Sequence, residues 1–165
     1  MKMHRYLMLA FLFIFTHSSA HAEPQYIQGE NVRVVDGDTL EINQYKIRVQ
    51  GIDAPETAQI CGQAGKSVYC GKLATYELEN LIGNQEVKCL NLGNDKYGRI
   101  IGECYLGELD INQWMVKNGW ALAYRKYSTK YVQDEEYAKQ KGLGIWGMEF
   151  IEPWNWRSVK KSMSR

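Results

Sequence analysis

The chain predicts an α+β fold: a five-stranded, OB-fold-like β-barrel, partly open, with three helices. Three observations lead there. The strand-like and helix-like runs come in the order three strands, helix, two strands, helix, helix, with a helix between the third and fourth strands. At 165 residues, 45% hydrophobic and 24% charged, there is material for one core. Only three prolines and a balanced charge content exclude collagen, low-complexity and disordered classes.

Lys2, His4 and Arg5 precede an unbroken apolar run of ten, Tyr6 to Phe15, and Ala20-His21-Ala22 follows as a small-x-small site. This reads as a secretory signal peptide over 1–22, cut after Ala22. Ten apolar residues are too short for a membrane span, which needs about 20. The mature chain, 23–165, keeps 18 basic and 19 acidic residues and no histidine. A Ser-His-Asp triad, a Cys-His pair and a His-ligated zinc site are excluded, so chemistry must run on carboxylates, Arg, Lys, Tyr or a hard metal.

Residues 26–35 read as the first strand, interrupted at Asp36-Gly37. Thr39–Ile42 alternates, with Leu40 and Ile42 inward. Tyr45–Ile52 alternates again, after a turn at Asn43-Gln44. A polar loop opens at Asp53-Ala54-Pro55-Glu56. Leu73, Ala74, Leu78, Leu81 and Ile82 fit a helix over about Val68–Ile82, stopped by Gly83. Glu86–Leu92 and Arg99–Leu106 are hairpin strands. Asp110 is placed to cap a helix over Ile111–Asn118, Ala121–Tyr127 is an extended connection, and a third helix spans about Thr129–Lys141. The tail, 148–165, is rich in Trp and ends in Arg157, Lys160, Lys161 and Arg165.

Four cysteines in an exported chain imply two disulfides. The turn Asp95–Gly98 and the pair Cys89 and Cys104 share the midpoint 96.5, so a hairpin in that register sets these cysteines opposite each other. Cys61 then pairs with Cys70.

Asp38 extends the apolar parity of Leu40 and Ile42, and Asp53 that of Ile47 and Val49, unless a bulge at Gly51 resets it. Two carboxylates at a core edge demand positive charge, and oxygen donors without histidine suit Ca²⁺ better than Zn²⁺. Taken alone, Asp36-Gly37 is more simply a turn, and Arg48 and Arg99 surface arginines. Together with Glu56 they form the parts of a phosphodiester-cleaving site: a cation, two guanidiniums for the phosphate and a carboxylate for the water.

Val35-Asp36-Gly37-Asp38-Thr39, then Arg48, then Gly51-Ile52-Asp53-Ala54-Pro55-Glu56, then Asp95-Lys96-Tyr97-Gly98-Arg99 resemble the staphylococcal nuclease family. Gly119-Trp120-Ala121 and Gly144-Ile145-Trp146 resemble its later segments. The resemblance implies a nuclease dependent on one Ca²⁺ ion, acting on DNA and RNA and leaving 3′-phosphates. By position, Asp38, Asp53 and the backbone carbonyl of Ala54 would hold the ion, with Asp36 just outside it. Glu56 would be the general base, Arg48 and Arg99 would bind the scissile phosphate, and Lys96, Tyr97 and Tyr124 would contact the nucleotide. Lys126 or Tyr127 would fill a second aromatic position. Ala54 departs from the family's best-known member, which has threonine there; a backbone ligand tolerates this. The further expectations are a monomer, a preference for single strands, a secreted or periplasmic location, and no membrane association once the signal is removed. The alternatives are a non-catalytic OB-fold module that binds nucleic acid or protein, and a disulfide-stapled adhesion domain.

Overall fold

The structure, a computed structural model, describes residues 25–164; the expected signal peptide, 1–22, lies outside them. The strands are β1 (Tyr26–Gly29), β2 (Val32–Asp36), β3 (Thr39–Ile42), β4 (Tyr45–Val49), β5 (Ile52–Asp53), β6 (Cys61–Gln63) and β7 (Lys66–Val68). Helix α1 (Cys70–Ile82) comes next, then β8 (Val87–Asn94), β9 (Ile100–Leu106) and β10 (Leu109–Asp110). The chain ends with α2 (Ile111–Lys117), β11 (Leu122–Ala123), α3 (Val132–Lys141), a 3₁₀ turn (Gly144–Gly147) and α4 (Pro153–Met163).

The mixed α+β class is as expected. The main sheet runs β1-β8-β9-β4-β3-β2, antiparallel except for β4 beside β9. Closure into a barrel is not detected among the described residues. The first expected strand bends at Glu30-Asn31 and becomes two, β1 and β2, which form opposite ends of the sheet. The chain itself, rather than a hydrogen-bonded ladder, joins the two edges.

Strand alternation matches burial where the sequence alternates. Leu40, Ile42, Ile47 and Val49 lie inside, and every second residue of β9 from Ile100 to Leu106 is buried. Helix α1 covers this face with Ala74, Leu78 and Ile82, spaced by four. It begins at Cys70 rather than Val68 because Lys66–Val68 pairs with Cys61–Gln63 as a small hairpin inside the polar loop. Asp110 caps α2 as expected, accepting from the Gln113 amide at 2.9 Å. Helix α3 starts at Val132, three residues later than expected.

Cys89 faces Cys104 in the β8–β9 ladder and is bonded to it, and Cys61 is bonded to Cys70. The register holds from Lys88 to Asn91, then shifts by one before the turn. One expectation is corrected: a fourth helix, α4, forms from the Trp-rich tail. Pro153 sits at its start, where a missing N–H costs nothing, and the next residues have no further breaker. No helix among the described residues is long and apolar enough to cross a membrane.

Candidate active site

The site begins at the tight turn between β2 and β3. A Cβ on Gly37 would lie 2.7 Å from the Ala54 Cβ, so only glycine lets this turn press against the chain after β5. Asp38 then reaches across: its Oδ2 accepts from the Ala54 amide at 2.8 Å. Its own amide donates to Asp36 Oδ1 at 3.0 Å. Burial and the neighbouring Asp38 charge push the Asp36 carboxyl up to about 6.

Asp53 comes from the other side. Beyond β4 the chain turns at Gly51, with φ +74°, and Asp53 pairs with Leu122 in a short ladder. The bend at Gly51 does not turn Asp53 outward: its residue exposure is 0%, and that of Asp38 is 8%. Arg48, on β4 beside Thr39, bridges the two carboxylates. Its Nη1 stands 3.1 Å from Asp38 Oδ1, and its Nη2 stands 3.1 Å from Asp53 Oδ1.

A second guanidinium completes the cluster, and sequence reading missed it. Arg157 of α4 donates to Asp53 through Nη1 at 3.0 Å and Nη2 at 2.8 Å, and Nη1 also reaches Glu56 Oε1 at 2.9 Å. Burial lowers the Arg157 pKa, but hydrogen bonds and charge from Asp53 and Glu56 outweigh it and raise the pKa. Burial also raises Asp53, helped by the Asp38 charge and opposed by both arginines. Glu56 is fixed by α1: its carbonyl is so close to Gly71 that an added Cβ there would sit 1.8 Å from the oxygen. Buried Gln59 accepts from the Glu56 amide at 3.3 Å and donates to the Ile151 carbonyl at 2.6 Å, linking this loop to the start of the tail.

The structure therefore brings Asp36, Asp38, Arg48, Asp53, Ala54 and Glu56 together. Arg99 makes no ion pair with this cluster; its Nε donates to Asp95 at 2.8 Å. Burial raises the Asp95 pKa, but hydrogen bonds from the Arg99 side chain and from the Arg99 and Tyr97 amides hold it below the usual range. β4 and β9 are parallel, with Arg48 beside Ile101. Extending the β9 alternation one residue upstream gives Arg99 the parity of Ile101, the residue beside Arg48. Lys96 and Tyr97 share that turn, and Tyr97 is 73% exposed. Tyr124 hydrogen-bonds through its amide to the Gly51 carbonyl at 2.8 Å, so it borders the Asp53 side. Its ring stacks on Trp154 of α4, with centroids 5.6 Å apart and planes 3° apart. Tyr127 meets the Tyr124 ring edge-on at 5.0 Å. In the sequence Trp154 and Arg157 were legible only as members of a Trp-rich, basic tail.

The donor set suits a hard dication: only oxygens, from two buried carboxylates that share one guanidinium. Asp38, Asp53 and the Ala54 carbonyl would hold it. Among the described residues, no group of three His, Cys, Asp or Glu side chains is arranged to hold a metal ion.

Comparison with known proteins agrees with this architecture. Residues 46–148 match the model of the staphylococcal nuclease homologue family. The succinoglycan biosynthesis protein ExoI of Rhizobium meliloti is 33% identical over 81% of this chain and 70% of its own length. An uncharacterized endonuclease of Escherichia coli is 34% identical over 96% of this chain and 100% of its own. A micrococcal nuclease of Shigella flexneri is 34% identical over 82% and 83%. With more than half its length matched, and with relatives above 30% identity along most of it, the chain belongs to the staphylococcal nuclease family.

Proposed function

We propose that this chain is a calcium-dependent nuclease that hydrolyses the phosphodiester bonds of DNA and RNA and leaves 3′-phosphate ends. The observation that carries the reading is the meeting of buried Asp38 and Asp53 on Arg48, with Glu56 tied to Asp53 through a further guanidinium. The names of the endonuclease and micrococcal nuclease relatives support the reaction class. A bound calcium ion would supply charge against a phosphate oxygen and hold a water. Arg48 holds the two carboxylates close, and Asp36 braces the Asp38 backbone. Glu56, with its side chain 36% exposed, is open to solvent and takes the proton of the attacking water. Arg48 and Arg99 bind the phosphate and offset charge developing in the transition state. Lys96 pairs with phosphate, while Tyr97 and Tyr124 offer rings to unstacked bases, which favours single strands.

The chain acts as a single nuclease domain over 23–165 and as a monomer. Export is supported by the two disulfides, which persist in an oxidising compartment. Intact mass of the protein recovered from periplasm or medium should correspond to a chain starting at Glu23; a mass retaining residues 1–22 would refute cleavage after Ala22.

The decisive assay is degradation of single-stranded DNA with calcium and with a chelator. Activity should be present in the first and lost in the second. Glu56→Gln should lower kcat by about 10²- to 10⁴-fold while oligonucleotide affinity changes little. Equal loss of turnover and binding would remove Glu56 from the role of base.

A further inference from the structure

Both oxygens of the Asp53 carboxylate are occupied from within the chain. Oδ1 accepts from Arg48 and Arg157, and Oδ2 accepts from Arg157. Arg157 enters from solvent, its side chain 38% exposed against 0% for that of Asp53. Three residues earlier on the same helix, Trp154 covers the Tyr124 ring. Residues i and i+3 share a helix face, so one face of α4 sets a cation on Asp53 and an aromatic ring on Tyr124. Those are the two things the proposed function requires from outside: a metal charge and a base. The hold is shallow. Of the residues of α4 only Pro153 is buried, and every one from Ser158 to Met163 is exposed.

We propose that Arg157 is a further residue of this site, an internal counter-cation that competes with the divalent ion for Asp53, so that ion binding is linked to release of the Arg157–Trp154 face of α4. The inference rests on the reading of Asp53 as a metal ligand. A guanidinium 2.8 Å from Asp53 Oδ2 uses the electron pairs a metal would take, and its charge repels a dication brought to the same carboxylate. Asp36, Asp38, Asp53 and Glu56 oppose Arg48 and Arg157. Lifting Arg157 away removes one positive charge from the cluster and so strengthens its attraction for a dication. Withdrawal of the same helix face uncovers Tyr124, so the ion prepares the tyrosine for a base. α4 therefore sets the affinity of the site for its ion from a position outside the carboxylate loops.

The test is calorimetric titration of Ca²⁺ into the chelator-stripped protein, as wild type, Arg157→Met, Arg157→Lys and Trp154→Ala. Arg157→Met should tighten Ca²⁺ at least about tenfold, the size expected for loss of one charge-assisted pair. Arg157→Lys, which restores a cation, should stay near wild type. Trp154→Ala leaves every charged group in place and should tighten Ca²⁺ about threefold by loosening the helix. A second readout needs no catalysis: Ca²⁺ should diminish the near-ultraviolet circular dichroism of the stacked Tyr124–Trp154 pair, a signal identified by its loss in Trp154→Ala. Unchanged or weaker Ca²⁺ binding by Arg157→Met and Trp154→Ala would overturn the competition and leave the calcium reading standing. Ca²⁺ binding with the aromatic signal intact would overturn release of the helix. Absence of Ca²⁺ binding in every variant would remove the metal reading itself, and the competition with it.

Discussion

Arg48 holds two carboxylates that would otherwise repel each other at the edge of a core. Its side chain is 17% exposed and that of Asp53 is 0%, so this is a largely desolvated arrangement in which loss of one partner is far costlier than the pair is stabilising. Asn112 is another buried polar residue on which the site's frame depends. It is 0% exposed; its Nδ2 donates to the Gln50 carbonyl at 2.8 Å and its Oδ1 accepts from the Cys104 amide at 3.1 Å. One side chain thus ties α2 to β9 and to the bend that precedes Asp53. Asn112→Ala should destabilise the protein by about 2–3 kcal/mol, since it leaves backbone groups unpaired in the interior. Urea denaturation measures this, and an unshifted midpoint would show that water replaces the amide. The sequence flagged Asp38, Arg48, Asp53 and Glu56 because their chemistry is unusual together. It did not flag Asn112, because an asparagine in a short helix looks the same whether it faces water or the core.

Among the elements, α1 has the most direct hold on the site. Its first turn packs on the loop carrying Glu56, and Gly71 makes that approach possible. Gly71→Ala would set a methyl group 1.8 Å from the Glu56 carbonyl and 2.9 Å from that of Pro55, both backbone atoms. The loop must move; the expected destabilisation is about 3 kcal/mol, together with a fall in kcat through displacement of Glu56. Thermal unfolding and nuclease assays on the same preparation check this. Wild-type values of both would mean that the helix yields instead of the loop. The disulfides act on the same neighbourhood. Cys61–Cys70 joins the β6–β7 hairpin to the first residue of α1, and Cys89–Cys104 staples the β8–β9 hairpin. On the chain-entropy model, closing loops with sequence separations of 9 and 15 stabilises by roughly 3 kcal/mol each. The hairpin pairing was readable from the turn midpoint because strand geometry is local. The β6–β7 hairpin was not: it is three residues a side, has no alternating pattern, and exists because the disulfide and the Gly62–Glu149 bridge hold it.

For the whole molecule, charge is nearly balanced, so a broad electrostatic stripe does not gather substrate. Binding must rest on a few local cations around the site. Single-stranded DNA affinity, measured with a slowly turning over Glu56→Gln protein, should fall with a log–log salt slope of about −2 to −4, as expected for three to five phosphate contacts. A slope near zero would argue that phosphate charge is not read at all. By itself, the amino-acid order determined the α+β class, the hairpin register and both cysteine pairings, because these follow from alternation, turn chemistry and spacing; Asp38, Arg48, Asp53 and Glu56 were legible as one set through the resemblance of their motifs to the family. Only the tertiary structure decided that the tail becomes α4 and returns across the molecule, setting Arg157 on Asp53 over a separation of 104 residues. No local rule encodes such a contact. Burial of an ionised aspartate demands a partner, and the helix face that can reach it is known only once the sheet and the loops have taken their places.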